Sequence, residues 1–333
     1  MIATKLHRLL WLAIGLYAVT GIISPILIDY ISQTTQMDVL SLGPVVANTF
    51  GMACMHLVTS RLRVRPGVNT TINKPWQASE IKLALMDLLS ASLVTIGLVN
   101  VGATTFTVIY SSTVSWTALI SWYRKTSVVT FHQAIGVLLV TVGLGANGYG
   151  HAKEDDSSGV GHQAWLEFVL TSGLLLLGTI VHAVVIIQMD EFSKAREKDE
   201  DDQTTVIEFA SRVGQIEFLV LVLWNVVRMG LGGWVTMDPQ AVVWYVLLSG
   251  NHLLHSLAFF YMIGQLGAVG SAVLKGFLAL ATFGLAAMLF CSEANTKQCL
   301  TPIKSLSMLL VFGGGVIYGA CGSGGKKKQA LPL

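Results

Sequence analysis

Lys275 stands alone among apolar neighbours in the run Gly267 to Ala286, GAVGSAVLKGFLALATFGLA. An ammonium in such a segment is costly to bury, and it is by default a functional residue. The run has an echo 165 positions earlier, Gly102 to Ser121, GATTFTVIYSSTVSWTALIS. Gly102 meets Gly267, Ala103 meets Ala268, Val108 meets Val273 and Thr117 meets Thr282, while the place of Lys275 is taken by Tyr110. A buried ammonium beside a phenol can grip an anionic or polar solute. The competing role is a structural lysine paired with a carboxylate, for which Asp87 is the best candidate. Thr107, just ahead of Tyr110, and Asn251 complete the set of candidate solute contacts.

The remaining polar residues in apolar segments suggest proton movement or structural hydrogen bonding. Asp87 and Glu217 are candidate proton carriers, and Asp87 serves equally well as a hydrogen-bond acceptor. His252 and His255 fall at i, i+3 beside Asn251. Buried histidines couple protons or hydrogen-bond across helices, and two without a third ligand make no metal site. His182 carries the same two alternatives. Glu208 and Arg212, spaced i, i+4, are expected to pair as a structural ion pair. Cys291 and Cys299 bracket CSEANTKQC, a spacing that fits no zinc signature but can close a disulfide in an oxidising compartment. Cys54 and Cys321 lie in apolar surroundings. The literal match Gly143-Leu-Gly145-Ala-Asn-Gly148 to a dinucleotide fingerprint follows no strand and is dismissed. There is no HExxH, P-loop or GxSxG, and no readable set of nucleophile, base and oxyanion donors. The chain is therefore not expected to be an enzyme, to carry a cofactor or metal, or to bind nucleic acid. A scaffold or receptor remains the main alternative, with a membrane-embedded enzyme around His252, His255 and Glu217 as a weaker one.

The elements that must hold these residues are membrane spans. The chain of 333 residues is 53% hydrophobic and 12% charged, against about 25% charged for soluble domains, and its mean hydropathy is +0.64. A spanning helix needs about 20 mostly apolar residues. Ten such spans are predicted, near 8–30, 40–60, 81–101, 103–123, 130–150, 164–189, 205–229, 241–263, 267–291 and 303–322. With the N-terminus in the cytoplasm, fifteen lysines and arginines lie on the cytoplasmic side, against Lys153, Arg228, Lys297 and Lys304 on the other. Positive charge concentrates on the cytoplasmic side, so both termini are assigned there. Asn69-Thr70-Thr71 then faces the cytoplasm and stays unglycosylated, and the Cys291–Cys299 loop faces away from it.

The spans fall into two sets of five. LLVTVGLGANG at 138–148 aligns with LLVFGGGVIYG at 309–319, which adds a second matched block to the first. An odd number of spans per copy makes the second copy enter from the opposite face, so the expected class is all-α integral membrane, ten helices as two inverted five-helix repeats. The divisions are 1–150 for the first repeat, 151–163 for a non-cytoplasmic loop, 164–322 for the second repeat and 323–333 for a basic cytoplasmic tail. The acidic run Glu197 to Asp202 is a solvated loop. Lys326–Lys328 can hold anionic lipid. Gly315 and Gly319, with the glycines of spans 5 and 10, serve internal packing or a homodimer contact.

This arrangement resembles the drug/metabolite transporter superfamily. Within it the chain is similar to the nucleotide-sugar-transporter-like solute carriers (EamA-like) and to the chloroquine-resistance-type transporters. The resemblance is carried by Leu85-Met-Asp-Leu88 through Phe106-Thr-Val-Ile-Tyr-Ser-Ser, by Gly250-Asn251 with Ala258-Phe-Phe, and by Leu274-Lys-Gly-Phe277. It implies a secondary transporter working by alternating access, with spans 4 and 9 facing a small-molecule solute and the chain embedded in a lipid bilayer. It also implies an endomembrane location in Golgi, ER or vacuole/lysosome.

Overall fold

The computed structural model describes residues 2–34, 39–62, 76–124, 130–157, 162–197, 204–231, 239–292 and 299–322. Asn69, most of the acidic run Glu197 to Asp202 and the tail with Lys326–Lys328 lie outside them. The described chain is helical throughout: α1 Ile2–Thr34, a 3-10 turn Val39–Ser41, α2 Gly43–Ala53, α3 Met55–Leu62, α4 Ala78–Ser111, α5 Thr113–Tyr123, α6 Phe131–Ser157, α7 His162–Glu197, α8 Thr204–Gly230, α9 Pro239–Phe290 and α10 Pro302–Gly322.

These elements and the predicted spans do not correspond one to one. Span 2 divides between α2 and α3, spans 3 and 4 share α4 and α5, and spans 8 and 9 fuse into α9. By length and composition, four stretches can cross a membrane among the described residues: Leu9–Thr34, Ala78–Tyr123, Leu166–Phe192 and Pro239–Ile263. Four shorter apolar helices accompany them, Gly43–Val58, Ala134–Ala146, Phe277–Phe290 and Pro302–Tyr318. Large apolar side chains also stand on outer faces: Leu12, Leu138, Leu223, Val246 and Leu309 are each more than half exposed. Glu217, Arg212, Thr179 and Ser307 are buried. Polar groups inside and apolar groups outside suit a lipid environment, where backbone groups must be satisfied within helices. The helices are compatible with a multi-pass membrane protein.

Two compact units form, and each takes pieces from both halves of the sequence. Unit 1 is Met1–Val99 with Gln188–Gly267, and unit 2 is Asn100–Ile187 with Ala268–Leu333. The chain passes between them three times, inside α4, inside α7 and inside α9. Just past the first passage Gly102 leaves helical geometry at φ 78°, ψ 163°, a left-handed conformation that glycine adopts without a Cβ clash. The last passage falls between Gly267 and Ala268, at the start of the matching block.

Unit 1 is tied by contacts between distant segments. The Trp224 indole donates to the Leu40 carbonyl at 3.0 Å and the Asn225 amide to the Ser41 carbonyl at 3.1 Å, which pins the 3-10 turn to α8. The Tyr17 ring stacks on His255 at 4.6 Å and on Phe259 at 5.7 Å, joining α1 to α9.

Unit 2 is organised around the crossing of α6 and α10. A Cβ on Gly136 would come within 2.6 Å of the Gly314 carbonyl, and one on Gly143 within 2.8 Å of the Ser307 carbonyl. The Ser307 hydroxyl donates to the Gly143 carbonyl at 2.6 Å. The pairs run in opposite order along the two helices, so the crossing is antiparallel, and small residues allow the backbones to meet. Gly315 has open space where a Cβ would sit and takes no part in it. Val108, Val140, Ala279, Phe283, Met308 and Val311 fill the core beside the crossing. Between α9 and α10, Cys291 and Cys299 form a disulfide. Thr301 and Pro302 open α10: the Lys304 backbone N–H donates to the Thr301 hydroxyl at 3.3 Å, an N-cap with proline at the first helical position. Lys304, assigned above to the non-cytoplasmic side, is itself buried there.

Candidate functional site

In unit 2, α4, α7 and α9 bring four side chains together. Phe106 and Tyr110 are one turn apart on α4, and their rings stack at 5.0 Å. His182 of α7 lies 5.5 Å from the Tyr110 ring. Lys275 of α9 closes the cluster. Its ammonium donates to the Tyr110 hydroxyl at 2.8 Å, approaches His182 Nε2 at 2.8 Å, and sits 4.3 Å from the Tyr110 ring centroid. With the ammonium donating, His182 accepts at Nε2 and keeps its proton on Nδ1. The ring face adds a cation–π attraction that strengthens as water is excluded.

All three of Lys275, Tyr110 and His182 are half-buried. A cation held in place by a phenol and an imidazole is chemically suited to meet an anionic or polar group. Thr107 is buried on the same helix, but its hydroxyl donates to the Thr104 carbonyl at 2.8 Å. It shares this with its neighbours, because Ser111, Ser112, Thr113 and Thr117 also bond back to carbonyls three or four residues earlier. Such back-bonding satisfies a buried hydroxyl and tends to bend a helix. It coincides with the break at Ser112 between α4 and α5.

The candidate carboxylates collect in unit 1. Glu217 of α8 and His252 of α9 each lie within electrostatic reach of Asp87 of α4. Glu217 is only 3% exposed, and its Oε1 has no hydrogen-bond partner among the described residues. Asp87, considered above as a partner for Lys275, thus belongs to the other unit. Asn251 and His255 face α1 instead: the Asn251 amide donates to the Thr20 carbonyl at 3.0 Å, and His255 Nδ1 lies 3.1 Å from the Thr20 hydroxyl.

Arg212 has a partner that the spacing rule did not name. Its guanidinium donates to Glu80 at 2.9 Å, with both side chains less than a tenth exposed. Glu80 also accepts the Gln77 backbone N–H at 2.8 Å at the start of α4. A glutamate three residues past a helix entry is the signal for this reciprocal cap. The signal for Phe106 was its i, i+4 spacing from Tyr110. For His182 only its isolation in an apolar helix pointed to a role.

No protein-family model matches the chain, and neither does any curated protein. It is similar to a protein of solved crystal structure, at 14% identity, over 93% of this chain and 98% of that one, with a TM-score of 0.54. At that identity the likeness concerns the fold alone.

Proposed function

We propose that this chain is a secondary transporter of a small polar or anionic solute, working by alternating access, with Lys275, Tyr110 and His182 contacting the solute. The observation that carries this is the hydrogen bond between Lys275 and Tyr110, which stand 165 positions apart. That separation is the offset of the sequence repeat. A residue that touches its own repeat equivalent lies at the axis relating the two copies, and inverted repeats place their solute sites at that interface.

The α6–α10 crossing supports the same symmetry. In the 138–148 and 309–319 alignment, Gly136 corresponds to Ser307 and Gly143 to Gly314. The contacts Gly136–Gly314 and Gly143–Ser307 therefore exchange when the copies are swapped, as contacts across a two-fold axis do. Length is consistent with ten spans, since the 52 residues of α9 extend about 78 Å at ~1.5 Å per residue, over twice a ~30 Å hydrocarbon core. The lysine distribution places both termini in the cytoplasm in this reading, and the Cys291–Cys299 disulfide suits a luminal side of an endomembrane.

The test is a thermal-shift screen of the purified full-length protein against nucleotide sugars, amino acids, peptides and phosphorylated metabolites. One class should stabilise the wild type, and that stabilisation should vanish in Lys275→Ala while folding is retained. Silence from every class, with folding intact, would favour the scaffold or receptor role.

A further inference from the structure

We propose that Ser271 is a further solute contact in unit 2, and that it fits the site to a singly charged carboxylate carrying a hydroxyl group. This rests on the transporter reading above and names the solute class for the same site. Ser271 of α9 is only 2% exposed, and its Oγ has no hydrogen-bond partner among the described residues. Other buried hydroxyls of the unit are satisfied by their own helix. Thr107, Ser111 and Thr117 bond back to earlier carbonyls, and on α9 itself the Thr282 hydroxyl donates to the Leu278 carbonyl at 2.9 Å. Serine makes this back-bond as readily as threonine, so Ser271 keeps a buried donor and acceptor open. Such a group costs free energy until something pairs with it.

Its position says what that partner meets. Ser271 precedes Lys275 by four residues on α9, and residues four apart on a helix share a face, with about 5–6 Å between Cβ atoms. The open hydroxyl therefore stands one turn from the ammonium that meets Tyr110 and His182. In the repeat its counterpart is Phe106, again 165 positions earlier. Phe106 stacks on Tyr110 at 5.0 Å, so the second copy has a hydroxyl where the first has a packing ring. The cluster holds one cation among the described residues, and a single negative charge balances it. A dianion would carry its second charge into a water-poor site, which is costly. A carboxylate on Lys275 with a hydroxyl on Ser271 satisfies both groups.

The test uses the purified full-length protein and matched acids, propionate with lactate and hexanoate with gluconate. Binding is read by thermal shift and titration calorimetry. In the wild type the hydroxylated member of at least one pair should bind about two- to tenfold more tightly, the span of one neutral hydrogen bond. Ser271→Ala should abolish that preference and leave the affinity for the plain acid unchanged, which a serine needed only for packing would not do. Ser271→Thr retains a hydroxyl and should retain the preference, while Lys275→Ala should lose both acids. The wild-type comparison needs no substitution, so it decides the matter even where a variant fails to fold. Acids bound without regard to the hydroxyl, or a preference that survives Ser271→Ala, would overturn the proposal. Stabilisation by a phosphorylated metabolite or an amino acid, with no response to any of these acids, would overturn it and leave the transporter reading standing. Silence from every solute would sink both.

Discussion

In unit 1 buried groups of opposite charge meet each other: Arg212 holds Glu80. In unit 2 the cationic Lys275 meets a phenol and an imidazole. The first arrangement keeps opposite charge inside the pair. The second sets the cation against two rings that hydrogen-bond it. A buried pair of opposite charges is suited to holding helices, and in the proposed transporter the ring-lined cation is the group that receives the solute.

The largest effect should come from breaking the paired charges. Arg212→Ala leaves Glu80 buried without its guanidinium, a change that costs about 3–5 kcal/mol in comparable sites. Thermal or denaturant unfolding of the purified protein would measure it. A loss near zero would mean that Arg212 is not a structural tie, and the contrast between the units would collapse.

Next comes recognition. Lys275→Ala removes a charge-assisted hydrogen bond worth about 1.5–3 kcal/mol, so solute affinity should fall by one to two decades. The effect should appear in the ligand-induced shift and leave the unfolding of the solute-free protein much less changed than Arg212→Ala does. Equal losses of intrinsic stability in the two variants would erase the distinction.

A steric change in unit 2 should be intermediate and blind to solute. Gly136→Ala drives a Cβ against the Gly314 carbonyl and the Tyr318 amide at 2.6 and 3.0 Å, both backbone atoms that cannot swing aside. Overpacking of this kind costs about 1–3 kcal/mol. Gly145→Ala, with nothing within 4 Å, is the control and should be nearly silent in the same melt.

The smallest effect sharpens the cation's surroundings. Tyr110→Phe deletes the hydroxyl and keeps the ring, so the hydrogen bond, worth about 0.5–1.5 kcal/mol, is lost while the cation–π contact remains. Solute affinity should drop severalfold and no further. A loss as large as that of Lys275→Ala would show that the phenol hydroxyl, beyond its ring, holds the solute as strongly as the ammonium does.

Much of the candidate site is legible in residue types and spacing alone. Lys275 and Tyr110 announce themselves because polar groups are rare in apolar runs and because the repeat puts them at equivalent places. The disulfide is legible for a similar local reason, since its cysteines are only eight residues apart. The i, i+4 rule pairs Arg212 with Glu208, and the fold brings the guanidinium a further partner in Glu80, 132 positions away. Local spacing cannot see an acid delivered by another helix. Asn251 and His255 group with the functional candidates on type alone, and their contacts with Thr20 of α1 are visible only in the fold.

The amino-acid sequence by itself determined that the chain is built of apolar helices, because that follows from composition and run length. It also marked the few costly residues, because an ionisable group among hydrocarbons stands out without any geometry. Only the tertiary structure decided how those residues are grouped. His182 reaches Lys275 from 93 positions away, Asp87 falls in one unit with Glu217, and the compact units cut through α4, α7 and α9 instead of following the sequence halves. Helical periodicity says which face of one helix is polar. Which other helix meets that face depends on backbone crossings such as Gly136 on Gly314, and those exist only once the chain has folded.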